Sequence, residues 1–361
     1  MMKDNNFNNL MNKNIIELLK NALCLSLKNF SQAWFVLNTI SSQKNAAKRR
    51  LKNEELGLHV PPFMIVSITS RCNLACKGCY AQARHKTENT EMSAPRLKGI
   101  IGEARELGIS IVMLAGGEPL MRKNEILELG GNYPDMIFPL FTNGMLLNDE
   151  LMDALKHRKN VIPVVSIEGY EEDTNRRRGI GVFECLKNAF KRMNTRGMFY
   201  GTSITMTRTN FDTVTDESFI KELVKGGCKL FFFVEYVPVR EGTEDWVLTD
   251  SQKRSVPALM DTLRKRRSGI FIAFPGDEEA FGGCLAAGRG FVHISSEGNL
   301  EPCPFAPFSD TNLNEKSLKE ALNSDFLRTI RENHNLLTEG KTGCALWENR
   351  DYVKTLIDAK N

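Results

Sequence analysis

Three cysteines, Cys72, Cys76 and Cys79, fall within the short segment SRCNLACKGCYAQA at C-x3-C-x2-C spacing. So close a set lets one loop wrap a compact metal cluster. Thiolates are the ordinary ligands of iron–sulfur clusters. A cubane offers one more iron than three cysteines can hold, and an open metal position is where a ligand binds. A zinc site would instead be closed by a fourth Cys or His, and His85 is the nearby candidate. Further along stand Gly116-Gly117-Glu118-Pro119, Thr142-Asn143-Gly144, Ser166-Ile167-Glu168-Gly169 and the basic run Arg176-Arg177-Arg178. Paired glycines permit close backbone approach, and a guanidinium fork suits a carboxylate. Glu235 interrupts the apolar run FFFVEYV, where an unpaired carboxylate is costly unless it is used. Tyr236 and Arg240 follow it as further hydrogen-bonding groups.

These residues need elements to position them. Apolar, β-branched runs at 63–69, 109–115, 136–142, 161–167, 199–206 and 229–237 read as six strands. Helical patterns lie between them. Ser93 and Asn148 stand where N-caps belong, and Gly197 and Gly226-Gly227 where helices stop. Strands alternating with helices predict a parallel sheet with helices outside. Periodicity alone does not separate an open sheet from a barrel. Before this series, residues 15–53 are helical in pattern with an apolar face, while residues 1–13 are expected to be unstructured. After Thr249 the alternation stops. One helix leads to FIAFPG, then a hairpin FVHISSEGNLEPC turns at Glu297-Gly298, and helical stretches close the chain.

A C-x3-C-x2-C triplet at the end of the first strand of a βα series resembles the radical S-adenosylmethionine superfamily. GGEP at 116–119 closely matches a family motif, and the segments at 142–144, 166–169 and 178–184 resemble others. The resemblance implies an α/β fold, a partial (β/α)6 barrel, with a [4Fe-4S] cluster on Cys72, Cys76 and Cys79. S-adenosylmethionine would chelate the free iron, with Tyr80, Gly116, Gly117, Glu118, Pro119, Asn143, Ser166, Glu168 and Arg178 around it. It also implies reductive cleavage of that cofactor to a 5′-deoxyadenosyl radical, which abstracts hydrogen from a peptide, protein or small-molecule substrate. An electron donor such as flavodoxin or ferredoxin would serve it, and Glu235 is the expected catalytic carboxylate. The chain departs from the motif at Gly78, where the family carries an aromatic.

Cys284, Cys303 and Cys344 remain near the C-terminus. Their context resembles the SPASM and Twitch auxiliary-cluster domains, in a truncated form. That implies a second, auxiliary iron–sulfur cluster, with His293 among the candidates for its remaining position. The expected layout is a helical extension over 1–60, the barrel over 61–270 and a small α+β domain over 271–361. Cys24, Cys185 and Cys228 read as structural. Net charge is +4 with charged residues at 25%, and no basic face concentrates as nucleic-acid binding would require. No segment approaches the length of a transmembrane helix. The polar, Asn-rich N-terminus lacks a secretory core, so a cytoplasmic location is expected, with reduced thiols. A non-catalytic iron–sulfur or zinc protein, carrying electrons or acting as a scaffold, is the other reading.

Overall fold

A computed structural model describes residues 4–84, 90–266, 268–278, 281–334, 337 and 344–358. Its centre is one sheet in the order β7-β6-β5-β4-β3-β2-β1-β8-β9. The strands are β1 (Phe63–Thr69), β2 (Ile111–Gly116), β3 (Phe138–Thr142), β4 (Val161–Ile167), β5 (Gly201–Met206), β6 (Leu230–Glu235), β7 (Ile270–Phe274), β8 (Phe291–Ile294) and β9 (Leu300–Glu301). All neighbours are parallel except β8 and β9. Six strands match the predicted runs. Two more parallel strands come from beyond them: β7 extends the sheet past β6, and β8 adds to β1. The sheet therefore continues across residue 270, where composition alone suggested a boundary.

The sheet curls. Phe141 on β3 meets Phe232 on β6 with ring centroids 5.0 Å apart. Three flat strand spacings would separate them by about 14 Å. Strand alternation then sorts side chains into two layers. Val66, Leu114, Leu140, Val165, Ile204 and Phe233 face the helices. Met113, Phe141, Val164, Phe232 and Ile272 face a lumen. The result is a partial barrel.

Helices pack outside it: α3 (Tyr80–Ala83), α4 (Ala94–Leu107), α5 (Lys123–Asn132), α6 (Asp149–Lys156), α7 (Glu171–Arg178), α8 (Val182–Thr195), α9 (Phe211–Thr215), α10 (Glu217–Lys225) and α11 (Asp250–Lys265), while α1 (Asp4–Ser26) and α2 (Phe30–Glu55) precede the barrel. Local signals set their ends. Ser93 accepts from Arg96 N and Asn148 from Leu151 N, as N-caps do. Gly108 closes α4 in the left-handed region. The C-terminal helices are α12 (Leu318–Leu322), α13 (Asp325–Glu332), α14 (Ala345–Glu348) and α15 (Arg350–Asp358).

α1 and α2 form a hairpin across the bottom of the barrel, the end where the strands begin. Leu18, Ala22, Phe35 and Val36 pack with Val164, Phe199, Leu230, Phe232 and Ile270. Asn29 donates to Gly197 O (3.3 Å), pinning the hairpin tip under β5. Residues 4–13, expected to be unstructured, are helical. Phe7, Met11 and Ile15 recur at one-turn spacing in that polar stretch, and Phe7 and Met11 bury against Phe281 and Leu285. Those partners lie far along the chain, so local composition could not show them. Among the described residues no helix is long and apolar enough to cross a membrane.

Candidate functional site

The cysteine loop leaves the top of β1. Glu91 holds that exit, accepting from Thr69 Oγ1 (2.6 Å) and Ser70 N (2.9 Å). Burial works to raise the Glu91 pKa, but these hydrogen bonds outweigh it and the net shift is downward. Cys72, Cys76 and Cys79 are half-buried. Burial pushes the Cys72 and Cys76 thiols up, and in Cys72 the neighbouring thiolates add to it. For Cys76, Arg178 pulls the other way. Among the described residues no three such side chains stand close enough to share one metal ion. A cubane asks each thiolate to hold its own iron, which suits thiols that stand apart. His85 lies outside the described residues.

The GGEP loop closes on this loop at backbone distance. A Cβ on Gly116 would sit 2.3 Å from Thr69 O, and one on Gly117 2.1 Å from Arg71 O. Gly117 N donates to Thr69 O (2.7 Å) and Glu118 N to Arg71 O (2.8 Å). No side chain fits between two strands' exits joined this way. Pro119 opens the short 3-10 turn that follows. Glu118 is fully buried, and its carboxylate accepts from Leu120 N, Thr142 Oγ1 and Asn143 N. Burial raises its pKa against those bonds. In this arrangement Glu118 ties the exits of β2 and β3 together. Asn143 reaches back to Asn73 Oδ1 (2.7 Å) and to Cys72 Sγ (3.8 Å).

Glu168, at the exit of β4, is 1% exposed. Its Oε1 accepts from Arg178 Nε (2.8 Å) and lies 2.6 Å from Arg177 Nη1. The Arg177 contact satisfies distance but not hydrogen-bond direction: Arg177 Nη1 has no hydrogen-bond partner, nor has Glu168 Oε2, and both are buried. Burial lowers the Arg178 pKa, and Glu168 with Cys76 more than offsets it, so the net shift is upward. Backbone bonds join α7 to the cysteine loop, with Lys77 N donating to Arg177 O (2.9 Å). Ser166 faces the lumen one step below Glu168.

Two expectations meet a different geometry. Glu235 is buried at the end of β6, but alternation sets it on the side of Phe231 and Phe233, which face the helices. Phe232 and Val234 face the lumen. Gly78 has φ +65, and a Cβ there would lie 2.6 Å from Tyr236 Oη and 3.0 Å from Trp246. The missing aromatic is thus explained: rings from beyond β6 already fill the space. Tyr236 Oη donates to Thr243 (2.8 Å), and Arg240 is exposed. Tyr80 lies edge-on to Phe305, centroids 5.5 Å apart, and burial pushes its hydroxyl up to about 12.

Sequence reading missed a polar relay at the seam between β1 and β8. Ser67 Oγ lies 2.8 Å from His293 Nε2, and His293 Nδ1 lies 2.7 Å from Glu301 Oε2. A carboxylate only accepts, so Nδ1 carries the proton and Nε2 accepts from Ser67. Arg84 grips both Glu301 oxygens (2.6 and 2.7 Å). His293 is fully buried, and burial lowers its pKa against the pull of Glu301. Both ring nitrogens are engaged, so His293 is not placed as a cluster ligand. Ser67, Arg84, Gly116, Gly117 and His293 line one cavity beside the cysteine loop. The available signal was alternation: Ser67 is the polar residue at a lumen position of FMIVSIT.

Cys303 is buried, and Cys284 and Cys344 are half-buried. Burial pushes the Cys284 and Cys303 thiols well up, and the charges of Glu278 and of the other thiols add to it. The three are therefore near one another, although they belong to separate segments. Cys228 is buried, while Cys24 and Cys185, expected to be structural, are exposed on α1 and α8.

Residues 66–223 match the radical SAM superfamily family model. The chain is 27% identical over 333 residues to the AdoMet-dependent heme synthase of Methanosarcina barkeri, covering 82% of this chain and 94% of that one. It is 26% identical over 271 residues to the mycofactocin maturase MftC of Mycobacterium tuberculosis, 72% and 68% covered. Its fold is similar to Streptococcus suis SuiB bound to precursor peptide SuiA, with TM-score 0.63, 19% identity and 84% and 74% coverage. SuiB is also known bound to S-adenosylmethionine. Such relatives favour the enzymatic reading over the non-catalytic one. Residues 66–223 thus form a radical S-adenosylmethionine domain, and along most of its length the chain is similar to enzymes.

Proposed function

We propose that Cys72, Cys76 and Cys79 hold a [4Fe-4S] cluster and that the exits of β2 to β4 seat S-adenosylmethionine beside it. When bound, the cluster supplies the electron that cleaves S-adenosylmethionine and so starts hydrogen abstraction from a peptide, protein or small-molecule substrate. The observation that carries the reading is the pair of buried atoms lacking partners next to Cys76. Glu168 Oε2 is an unfilled acceptor and Arg177 Nη1 an unfilled donor. The amino acid end of the cofactor brings one ammonium and one carboxylate, which complement them. Arg178 holds Glu168 in place and keeps a positive charge beside the thiolates. Gly116 and Gly117 let the chain approach the ligand without side chains. Asn143 fixes the cysteine loop through Asn73.

Substrate enters the lumen from the top, past Ser67, Ser166 and the Ser67–His293–Glu301 relay. Cys284, Cys303 and Cys344 hold a second iron–sulfur cluster in this reading, and a flavodoxin or ferredoxin donates electrons in the cytoplasm. The resemblance to auxiliary-cluster domains and the gathering of the thiols support it. Glu235 receives no catalytic role, because its strand turns it toward the helices. The test is anaerobic reconstitution followed by S-adenosylmethionine and dithionite. We expect 5′-deoxyadenosine to form. Full iron loading without that product would sink the proposal. Iron counting on the Cys72→Ala/Cys76→Ala/Cys79→Ala variant addresses the second cluster: iron retained supports it, and no iron retained removes it.

A further inference from the structure

The hairpin under the barrel has an outer face that the lumen does not use. We propose that this face docks the enzyme onto an anionic lipid surface, with the bottom of the barrel toward the membrane. The apolar residues there are unusually bare: Phe30 is 83% exposed, Leu27 68%, Trp34 59% and Leu37 46%. Phe30, Trp34 and Leu37 follow one another at helical spacing, so they form a single stripe on α2. Large apolar side chains gathered at one place on a surface mark an interaction site. Continued by the same spacing, the stripe reaches Ser41, Lys44 and Lys48, all exposed. Lys13 and Lys20 of α1 line the groove that Lys44 and Lys48 share.

Charge identifies the occupant. Residues 4–55 hold eight basic and four acidic side chains, against 48 and 44 in the whole chain. The hairpin therefore carries a net +4, equal to the charge of the entire protein, and the rest is neutral. An aromatic and leucine tip beside lysines is the composition of a helix lying in a lipid interface. Tryptophan sits at headgroup depth, and lysine stems reach up from it to anionic phosphates. A second copy on the same face would set two such hairpins against each other, positive to positive. The docked helices lie parallel to the surface rather than across it, in keeping with their length and polarity. The mouth of the barrel, at the opposite end, then faces water.

Sedimentation of the full-length protein with sucrose-loaded vesicles tests this. Binding is expected with vesicles of phosphatidylcholine mixed with phosphatidylglycerol, and to be about tenfold or more weaker with phosphatidylcholine alone, at roughly 1 kcal/mol per engaged lysine. High salt should release the protein. Phe30→Ser/Trp34→Ser should abolish binding, and Lys44→Glu/Lys48→Glu should weaken it at least tenfold. Neither pair should change the circular dichroism spectrum or the yield of 5′-deoxyadenosine, which separates this proposal from the one above. Trp emission should shift to the blue with anionic vesicles, and Trp34→Ser should lose that shift. No binding to either vesicle by folded protein overturns the proposal, as does binding that survives Phe30→Ser/Trp34→Ser. Self-association lost in Phe30→Ser/Trp34→Ser overturns it in favour of a second copy.

Discussion

The two cysteine sets are built in opposite ways. Cys72, Cys76 and Cys79 sit on one loop, half-exposed, held by the strand exit it follows and by contacts to the neighbouring exits. Cys284, Cys303 and Cys344 come from three separate segments, and the chain after β7 brings them near one another as it folds back beside β1. The first set is a local device fastened to a finished scaffold. The second is a product of tertiary folding, so altering it disturbs the scaffold too.

The sharpest way to break this contrast is to remove each set. The Cys72→Ala/Cys76→Ala/Cys79→Ala variant should lose all 5′-deoxyadenosine formation, read by chromatography, while the metal-free protein melts within a few degrees of its parent. Next in size is Gly117→Ala. Its methyl would meet Arg71 O at 2.1 Å. That pushes the cysteine loop off the β2 exit at a cost of about 3 kcal/mol. Loss of S-adenosylmethionine binding, by titration calorimetry, should accompany the lower Tm. Cys303→Ser should cost about 1–3 kcal/mol even without metal, since a buried hydroxyl lacks a suitable partner. Denaturant unfolding checks that, and an unchanged midpoint would erase the difference between the sets.

The smallest effect is in pH. His293 has a folded pKa below its ordinary 6.5, so the unfolded chain binds more protons as pH falls. Stability should therefore drop as pH is lowered from 6.5 toward the depressed folded pKa, and level off below it. His293→Gln should flatten that slope, as read by urea titration across this range. An identical slope in both proteins would show that the relay does not hold its histidine neutral.

Much of the barrel was legible. The six strands matched, and Ser93, Asn148 and Gly197 marked helix ends, because caps and alternation act within a few residues. The cysteine loop was legible for the same reason. What stayed hidden depends on distant partners: β8 pairing with β1, Phe7 and Met11 held by Phe281, and His293 meeting Ser67 across 226 residues. Glu235 looked like a site residue because its charge was visible and its register was not. One residue of register decides which side of a strand a side chain takes.

The apolar stopper formed by Leu18, Ala22, Phe35 and Val36 turns the barrel into a cul-de-sac. In the proposed function, what reacts inside arrives and departs at the opposite end, where the strands finish. On that reading, cofactor fragments and product would share the route at the top with the next substrate, so traffic through it would be ordered rather than simultaneous. The same packing would shield whatever reacts in the lumen from water at the bottom, leaving substrate at the top as its nearest neighbour.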